Sequence, residues 1–185
     1  MRKIRVFEQI SVDGFFTDDK NDMSWAHKHD DEWSRFTSGN ASGDGELLFG
    51  RVTYEMMAAF WPTTQAAQMW PQVAEGMNRM RKIVISRSLT SVTWRNTTLL
   101  QGDLVTEAAR LKQQPGPDIA ILGSGSIVSQ LTEARLIDEY QIVVNPIVLG
   151  RGRTLFETMR HKKPLALTQT RKFTNGNVVL WYEPA

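Results

Sequence analysis

The sequence predicts a single α/β domain with three layers, α/β/α, in which a mostly parallel central sheet ends in an antiparallel C-terminal hairpin. Short apolar strands alternate with amphipathic helices along most of the 185 residues, as in parallel sheets joined by crossover helices. Two strand-like runs around an Asn-Gly turn close the chain. No internal repeat or linker interrupts this order, so residues 1–185 are expected to form one domain.

The first elements follow from alternation and from breaking residues. Residues 3–12 alternate well enough for a first strand, which Asp13-Gly14 ends. The polar and acidic residues 17–24 predict a loop. A helix is predicted at residues 26–37, and the Gly-, Ser- and Asn-rich residues 38–45 predict a turn.

Short apolar runs define the middle of the chain. Residues 46–50 and 82–86 predict buried strands, since each is a short apolar run that ends in Gly or Ser. Residues 51–60 have helical periodicity, and the nearby Pro62 ends that helix. Residues 65–79 are weakly helical. The stretch therefore predicts two strands separated by helical segments.

The next elements repeat the strand–helix alternation. Residues 92–100 carry Trp94 and β-branched side chains, which predict one or two strands. Asp103 is a plausible N-cap for a helix that ends at Lys112. Residues 118–122 predict a further buried strand.

The C-terminal part completes the sheet. A helix is predicted at residues 126–134 and a strand at 137–144. Residues 165–173 and 177–182 then form the predicted antiparallel hairpin, with Thr174-Asn175-Gly176 as its turn.

Composition excludes several classes of function. The 22 basic and 20 acidic residues are interleaved and leave a net charge of +2, so no basic stripe for nucleic acid is expected. The absence of cysteine rules out disulfides, thiolate metal sites and cysteine nucleophiles. No run approaches the roughly 20 apolar residues of a membrane span, and no signal peptide is recognised. We therefore expect a soluble, cytoplasmic protein.

Three strand ends resemble one another and point to a phosphate-bearing ligand. Small or polar residues follow the predicted strands at residues 50–53 (Gly-Arg-Val-Thr), 86–88 (Ser-Arg-Ser) and 123–127 (Gly-Ser-Gly-Ser-Ile), close to helix starts. Ligands of open α/β sheets bind beyond the carboxyl ends of the strands, where helix N-termini suit phosphate. A single segment of this kind is more often an ordinary turn. The three segments together predict that the protein binds a dinucleotide.

These segments resemble the dihydrofolate reductases. Residues 50–53 look like their Gly-Arg-x-Thr segment, and residues 123–125 look like their Gly-Gly-Gly segment with Ser124 as the middle residue. Residues 11–17 (Ser-Val-Asp-Gly-Phe-Phe-Thr) resemble their first strand end and active-site loop. The pattern Pro146-x-x-x-Gly150-x-Gly152 is similar to the RibD C-terminal group, named for the reductase domain of riboflavin biosynthesis.

The resemblance implies NADPH as cofactor and assigns residues to it. Arg87 is the natural partner of the 2′-phosphate, which favours NADPH over NADH, and Phe16 and Thr17 would flank the nicotinamide. The remaining implied contacts lie at the three strand ends and are Gly50, Arg51, Val52, Thr53, Ser86, Gly123, Ser124, Gly125, Ser126 and Ile127.

Two carboxylates are candidates for the substrate side. In the dihydrofolate reductases a carboxylate five residues after a Trp binds the ring, and here Asp30 follows Trp25 at that spacing. Asp13 ends the first strand near the implied nicotinamide. The alternative for Asp30 is a solvated acidic turn, and for Asp13 a turn-forming Asp-Gly pair. Arg151 and Arg153 would meet a substrate phosphate or remain in a solvated loop.

The sequence favours two other types of site less strongly. His27, His29 and the acidic residues 30–32 form a possible metal site, although one helix rarely converges three ligands, so no metal is expected. A Rossmann fingerprint at residues 123–125 lacks its third Gly and the acidic residue about 20 positions on.

The resemblance implies an NADPH-dependent oxidoreductase that reduces a small pyrimidine- or pterin-like heterocycle. The nearest precedent is 5-amino-6-(5-phosphoribosylamino)uracil reductase. The alternatives are dihydrofolate reductase activity and a non-catalytic NADPH-binding protein. The resemblance also favours a homodimer.

Overall fold

A computed structural model of the chain describes residues 1–27, 30–41 and 44–185. Its helices and strands alternate as the sequence predicts. The strands are β1 (Ile4–Ser11), β2 (Phe15–Thr17), β3 (Glu46–Phe49), β4 (Arg81–Ile85), β5 (Thr97–Leu100), β6 (Ile119–Leu122), β7 (Glu139–Asn145), β8 (Arg153–Thr154), β9 (Leu165–Lys172) and β10 (Val178–Pro184). The helices are α1 (Asp31–Ala41), α2 (Arg51–Phe60), α3 (Thr64–Met69), α4 (Pro71–Arg79), α5 (Leu104–Gln113) and α6 (Gly125–Glu133).

One large sheet organises the described residues. Its eight strands lie in the order β5-β4-β3-β6-β1-β7-β10-β9. The pairs from β5 to β7 are parallel, whereas β10 pairs antiparallel with both β7 and β9. The predicted fold class, a three-layer α/β/α domain with an antiparallel C-terminal hairpin, is therefore confirmed.

Side chains alternate along each strand between the two faces of the sheet, and an apolar core lies on each face. Ile4, Val6 and Ile121 belong to the apolar core on one face, together with residues of α5 and α6. Leu47 and Phe49 belong to the core on the other face, with residues of α2 and α4. The helix α1 covers the β7–β10 end of that second face. Helices on both faces explain why the parallel strands are buried apolar runs.

The largest difference from the predicted elements concerns α1. The predicted helix at 26–37 begins only at Asp31, because Asp30 caps it by accepting a hydrogen bond from the Trp33 backbone nitrogen at 2.8 Å. The helix then continues to Ala41, into the predicted turn at 38–45. Burial of Trp33 and Phe36 in an aromatic cluster outweighs the weak helix propensity of these residues. Residues 28–29 and 42–43 of these two predictions lie outside the described residues.

Smaller differences have local causes. The predicted helical stretch 65–79 is two helices, since Pro71 starts a new one at its first position. The stretch 92–100 contributes one strand, β5, which is within the prediction but begins only at Thr97. Trp94 precedes this strand and is buried, with its indole N–H donating to Asn78 at 2.7 Å. The short ribbon of β2 and β8 was not predicted, because two- and three-residue strands carry too little periodicity.

Parallel pairing places four strand ends side by side. The carboxyl ends of β4, β3, β6 and β1 are neighbours along one edge of the sheet. The three segments predicted to bind phosphate follow three of these strands, and Asp13 follows the fourth. Among the helices of the described ranges, none has both the length and the apolar character needed to cross a bilayer.

Candidate functional site

The first and third predicted segments meet directly. The backbone nitrogen of Gly50, which precedes α2, donates a hydrogen bond to the Ser124 hydroxyl at 3.2 Å. A Cβ on Gly50 would lie 3.3 Å from Ile127, so the two loops are in close contact. Because β3 and β6 are hydrogen-bonded neighbours, this contact joins the N-terminal ends of α2 and α6 at one edge of the sheet.

Two more close approaches hold these loops together. A Cβ on Gly123 would lie 3.1 Å from the Thr53 methyl group, and one on Gly125 would lie 2.7 Å from the Phe16 ring. The Phe16 ring is buried in the core on the α6 side of the sheet. Glycine at position 125 therefore lets Phe16 lie against the start of α6. The structure thus brings Phe16 to the segments with which the resemblance grouped it.

The ends of two helices give this edge its electrostatic character. The first hydrogen bond inside α2 is donated by Tyr54 to Gly50, and the earliest in α6 is donated by Ile127 to Ser124. The N–H groups of the preceding residues have no acceptor within their own helices, and the helix dipoles add partial positive charge. Val52 and Ser126, in the first turns, are exposed. Such an edge suits phosphate oxygens.

Two arginines flank the edge in exposed positions. Arg51 pairs with Glu55 one helical turn away at 3.0 Å. Arg87 follows β4 and pairs with Asp103, the N-cap of α5, at 3.4 Å, with 74% of its side chain exposed. Exposed ion pairs of this kind contribute little to stability. A phosphate can therefore replace the carboxylate partner of either guanidinium group at little cost. Ser86 lies beside Arg87, and its hydroxyl accepts a hydrogen bond from the Leu89 backbone nitrogen at 3.2 Å.

Asp13 connects the loop after β1 to the loop after β7. Its carboxylate accepts hydrogen bonds from the backbone nitrogens of Leu149 at 3.1 Å and Gly150 at 2.7 Å. A hydrogen bond with Ser11 and these backbone donors lower the pKa of Asp13 from 3.8 to about 2, against a smaller opposing effect of burial. The group is therefore ionised at neutral pH. Its contacts position the loop, and they do not make it a proton donor.

The loop that Asp13 holds packs on β2. A Cβ on Gly152 would overlap the Thr17 carbonyl oxygen, so only glycine fits there. The Thr17 hydroxyl is buried and has no hydrogen-bond partner. Arg153 lies 5.6 Å from the centre of the Phe16 ring and pairs with Glu157 at 3.1 Å. Arg151 pairs with Asp19 at 2.9 Å.

One oxygen of Asp30, the candidate substrate carboxylate, accepts a hydrogen bond, and the other has no hydrogen-bond partner. Asp30 Oδ1 caps α1, whereas Asp30 Oδ2 is buried without a hydrogen-bond partner. This oxygen is shielded from water, although Asp30 as a residue is only half-buried. Asp30 is an N-cap whose second oxygen has no partner within the protein.

The metal alternative finds no support in the described residues. Among them, the His, Asp and Glu side chains form no group of three that could hold a metal ion. Glu32 instead accepts hydrogen bonds from Thr174 and Arg171 in the C-terminal hairpin. His29, part of that alternative, lies outside the described residues.

A cavity of about 210 Å³ lies at the opposite edge of the sheet, far from these residues. Glu46 in its lining pairs with both Arg2 and Arg81. The buried Lys82 donates hydrogen bonds to backbone carbonyls at the end of α4, and burial lowers its pKa to about 8. We attribute a structural role to this cluster, because its cations already have partners.

Sequence reasoning missed two polar residues on the far side of the same edge. Asn145 ends β7 and Asn177 precedes β10, and both side chains are fully buried. An Asn beside each of two predicted strand ends was the available signal. Each asparagine taken alone is typical of an ordinary turn, because asparagine is common in turns.

The comparisons with known proteins identify the family and the fold of the chain. The family model of the RibD C-terminal domain matches residues 2–179. Uncharacterized protein YyaP of Bacillus subtilis (strain 168) is 24% identical over 181 residues, which cover 98% of this chain and 94% of that protein.

Solved structures share the fold. A putative riboflavin biosynthesis protein from Shewanella sp. PV-4 superposes with a TM-score of 0.74 at 22% identity, covering 99% of both chains. A diaminohydroxyphosphoribosylaminopyrimidine deaminase/5-amino-6-(5-phosphoribosylamino)uracil reductase from Thermotoga maritima superposes with a TM-score of 0.70 at 12% identity, covering 100% of this chain and 57% of that one. With a family match that spans nearly its whole length, the chain belongs to the RibD C-terminal domain family.

Proposed function

We propose that this protein is an NADPH-dependent reductase of a small pyrimidine- or pterin-like heterocycle. The observation that carries the proposal is the junction of two helix N-termini at Gly50 and Ser124, flanked on the next strand by Arg87. A long ligand with several phosphates fits this arrangement, because successive parallel strand ends present N–H groups and a cation along one edge. The Thermotoga relative, described as a reductase, supports the same reaction class.

The residues present fit the cofactor. Gly123 and Gly125 let the loop after β6 pack against the Thr53 methyl group and the Phe16 ring. This packing keeps the N-terminal N–H groups of α2 and α6 close together, as a bound pyrophosphate requires. Gly50 to Thr53 and Gly123 to Ile127 would hold the pyrophosphate, Ser86 and Arg87 the 2′-phosphorylated ribose, and Phe16 with Thr17 the nicotinamide side. When bound there, NADPH would supply the hydride, and the protein supplies binding and orientation.

The protein's own contribution to the reaction is mainly positional. Asp13, ionised at neutral pH, fixes the loop that carries Gly150 and Gly152. The free oxygen of Asp30 would accept a hydrogen bond from an N–H group of the substrate ring and so orient it. The arginines 151 and 153 lie on the loop next to β2 and would meet a substrate phosphate if one is present.

A cofactor titration tests the proposal. We expect NADPH to bind more tightly than NADH, and Arg87→Ala to weaken NADPH binding about tenfold while leaving NADH binding unchanged, because the lost contact is to the 2′-phosphate. Arg81→Ala is the matched control: it lies at the other end of β4 with a side chain 75% exposed and also paired. Equal and weak binding of both cofactors, measured by fluorescence, would refute the proposal.

Substrate-dependent loss of NADPH absorbance then separates an enzyme from a binding protein. We expect loss with 5-amino-6-(5-phosphoribosylamino)uracil or a related aminopyrimidine. Dihydrofolate as the only active compound would favour the alternative activity. Binding of NADPH without turnover of either compound would favour a non-catalytic NADPH-binding protein.

A further inference from the structure

The cavity of about 210 Å³ lies at the edge where the parallel strands begin, between the sheet and α5. Glu46 and Arg81 are the first residues of β3 and β4. Arg2 precedes β1, and Arg110 lies in the last turn of α5. The walls between these charges are apolar and are formed by Ile83, Leu100, Leu111 and Pro115. One water needs only about 10–15 Å³, so this cavity has room for a small organic molecule.

The lining of the cavity carries a surplus of positive charge. Among the described residues that line it, the charged ones are three arginines, Lys82 and one carboxylate, Glu46. The Lys82 ammonium is directed to the other face of the sheet, where it donates to carbonyls at the end of α4. Glu46 is the shared partner of Arg2 at 2.7 Å and Arg81 at 3.2 Å. One carboxylate thus compensates only one of these two guanidinium charges.

The ion pairs of the two outer arginines leave N–H donors unused. The side chains of Arg81 and Arg110 are 75% and 56% exposed, and Arg110 pairs with Glu107, one turn earlier on α5, at 2.6 Å. A guanidinium group has five N–H donors, and an exposed pair contributes little to stability. Both arginines can therefore accept a further anionic partner.

The floor of the cavity is held in place by the protein itself. The buried Arg2 side chain donates to Glu46 and to the Pro117 carbonyl, and the Arg2 backbone nitrogen donates to Lys112 at 3.0 Å. A Cβ on Gly116 would lie 3.2 Å from the Arg2 guanidinium carbon, so the turn before β6 packs closely on this side chain. Arg2 and Glu46 thus have a structural role, and a ligand does not have to order them.

We propose that this cavity binds a small organic phosphate monoester. Arg81 and Arg110 would hold the phosphate, because planar guanidinium groups match its oxygens, and the organic part would lie against the apolar walls. The phosphate also relieves the repulsion between neighbouring guanidinium groups, which a neutral ligand leaves in place. The site is separate from the proposed cofactor edge, since Gly50 and Arg87 follow the opposite ends of β3 and β4.

Calorimetric titration with phenyl phosphate tests the proposal, because this compound joins a phosphate to a compact apolar ring. We expect wild-type protein to bind it about tenfold more tightly than inorganic phosphate, which has no apolar part. Arg81→Ala and Arg110→Ala should each weaken phenyl phosphate binding about tenfold, since each removes a charge-assisted contact. Both side chains are exposed, so both variants should melt near the wild-type temperature.

Thr98→Phe tests the apolar part of the cavity without changing a charge. Thr98 lies on the edge strand β5, lines the cavity and is exposed, and phenylalanine suits a strand. The added ring should occupy the space of the phenyl group. We therefore expect weaker phenyl phosphate binding, by about tenfold, at an unchanged melting temperature.

Arg5→Ala is the matched control. Arg5 is another exposed arginine with a carboxylate partner, Asp118 at 2.8 Å, and it is not part of the cavity lining. We expect this variant to bind phenyl phosphate with wild-type affinity. Saturating phenyl phosphate should also leave NADPH binding unchanged, because the two sites lie at opposite ends of the strands.

Four results would overturn the proposal. Equal affinities for inorganic phosphate and phenyl phosphate would mean that the exposed cations attract any phosphate. Wild-type affinity in both arginine variants, or displacement of phenyl phosphate by NADPH, would place the compound elsewhere. Benzoate binding as tight as that of phenyl phosphate would make the ligand a carboxylate. The phenyl phosphate titration needs no cofactor, so a failure of NADPH binding would refute the reductase function and leave this site standing.

Discussion

The backbone nitrogen of Gly50 donates a hydrogen bond to the hydroxyl of Ser124 at 3.2 Å, although the two residues are 74 positions apart. Ser124 has a left-handed backbone with φ 68° and ψ 51°, a conformation that costs a non-glycine residue about 1 kcal/mol or more. The hydrogen bond offsets part of that cost and fixes the start of α6 against the start of α2.

Ser124 substitutions should separate strain from hydrogen bonding. Ser124→Ala loses the hydrogen bond and keeps the strain, whereas Ser124→Gly loses the bond and relieves the strain. We expect the Gly variant to be more stable than the Ala variant by roughly 1 kcal/mol, as measured by urea unfolding. Equal stabilities of the two variants would contradict this account of the loop.

Gly125→Ala should disturb the cofactor side of the site. The new Cβ would lie 2.7 Å from the Phe16 ring, and relieving that overlap should cost about 1–3 kcal/mol and weaken NADPH binding. Gly39→Ala is the control, because a Cβ there meets nothing within 4 Å and alanine favours a helix by up to about 1 kcal/mol. Wild-type stability and NADPH affinity in the Gly125 variant would refute the close approach.

Asp13→Asn should remove a pH-dependent contribution to stability. The folded-state pKa of Asp13 is about 2, below its ordinary 3.8, so the carboxylate stabilises the fold above pH 3.8 and loses this effect as pH falls toward 2. We expect the melting temperature of the wild type to exceed that of the variant at pH 6, with a difference that shrinks between pH 4 and pH 2. A constant difference over that range would contradict the assignment.

Glu8→Gln should have the opposite pH dependence. Glu8 is fully buried on β1, and burial raises its pKa well above 4.5. Its protonated form is therefore favoured in the folded state, and stability is lost as pH rises above 4.5 toward the raised value, by up to about 1.4 kcal/mol per pH unit. The variant should match the wild type near pH 4 and become increasingly more stable toward neutral pH in thermal unfolding. A variant less stable than the wild type at pH 7 would be evidence against this sign.

Asp30 substitutions should distinguish capping from catalysis. Asp30→Ala is expected to cut turnover and to destabilise α1 by about 1 kcal/mol, since it removes the cap on Trp33. Asp30→Asn retains a capping oxygen, so its stability should stay near that of the wild type while turnover still falls. Neither change should alter NADPH affinity by titration. Unchanged turnover in both variants would remove Asp30 from the substrate site.

The order of elements was predictable because it depends on local patterns. Apolar runs ending in small residues marked β3, β4 and β6, and the Asp103 cap and the Asn175-Gly176 turn marked α5 and the hairpin. Predictions were wrong where packing outweighed propensity. The helix α1 runs through Ser38, Gly39 and Asn40 because its aromatic face is buried against β7 and β10.

The sequence by itself determined the α/β class, the parallel strand ends and the small residues that follow them, since short-range periodicity and turn chemistry carry that information. Only the tertiary structure decided which residues act together. Strand order brought Ser124 to Gly50 and Asn177 to Asn145, and helix packing set Trp33 of α1 against Val143 of β7. Such contacts depend on register and helix packing between distant segments, and no local pattern specifies them.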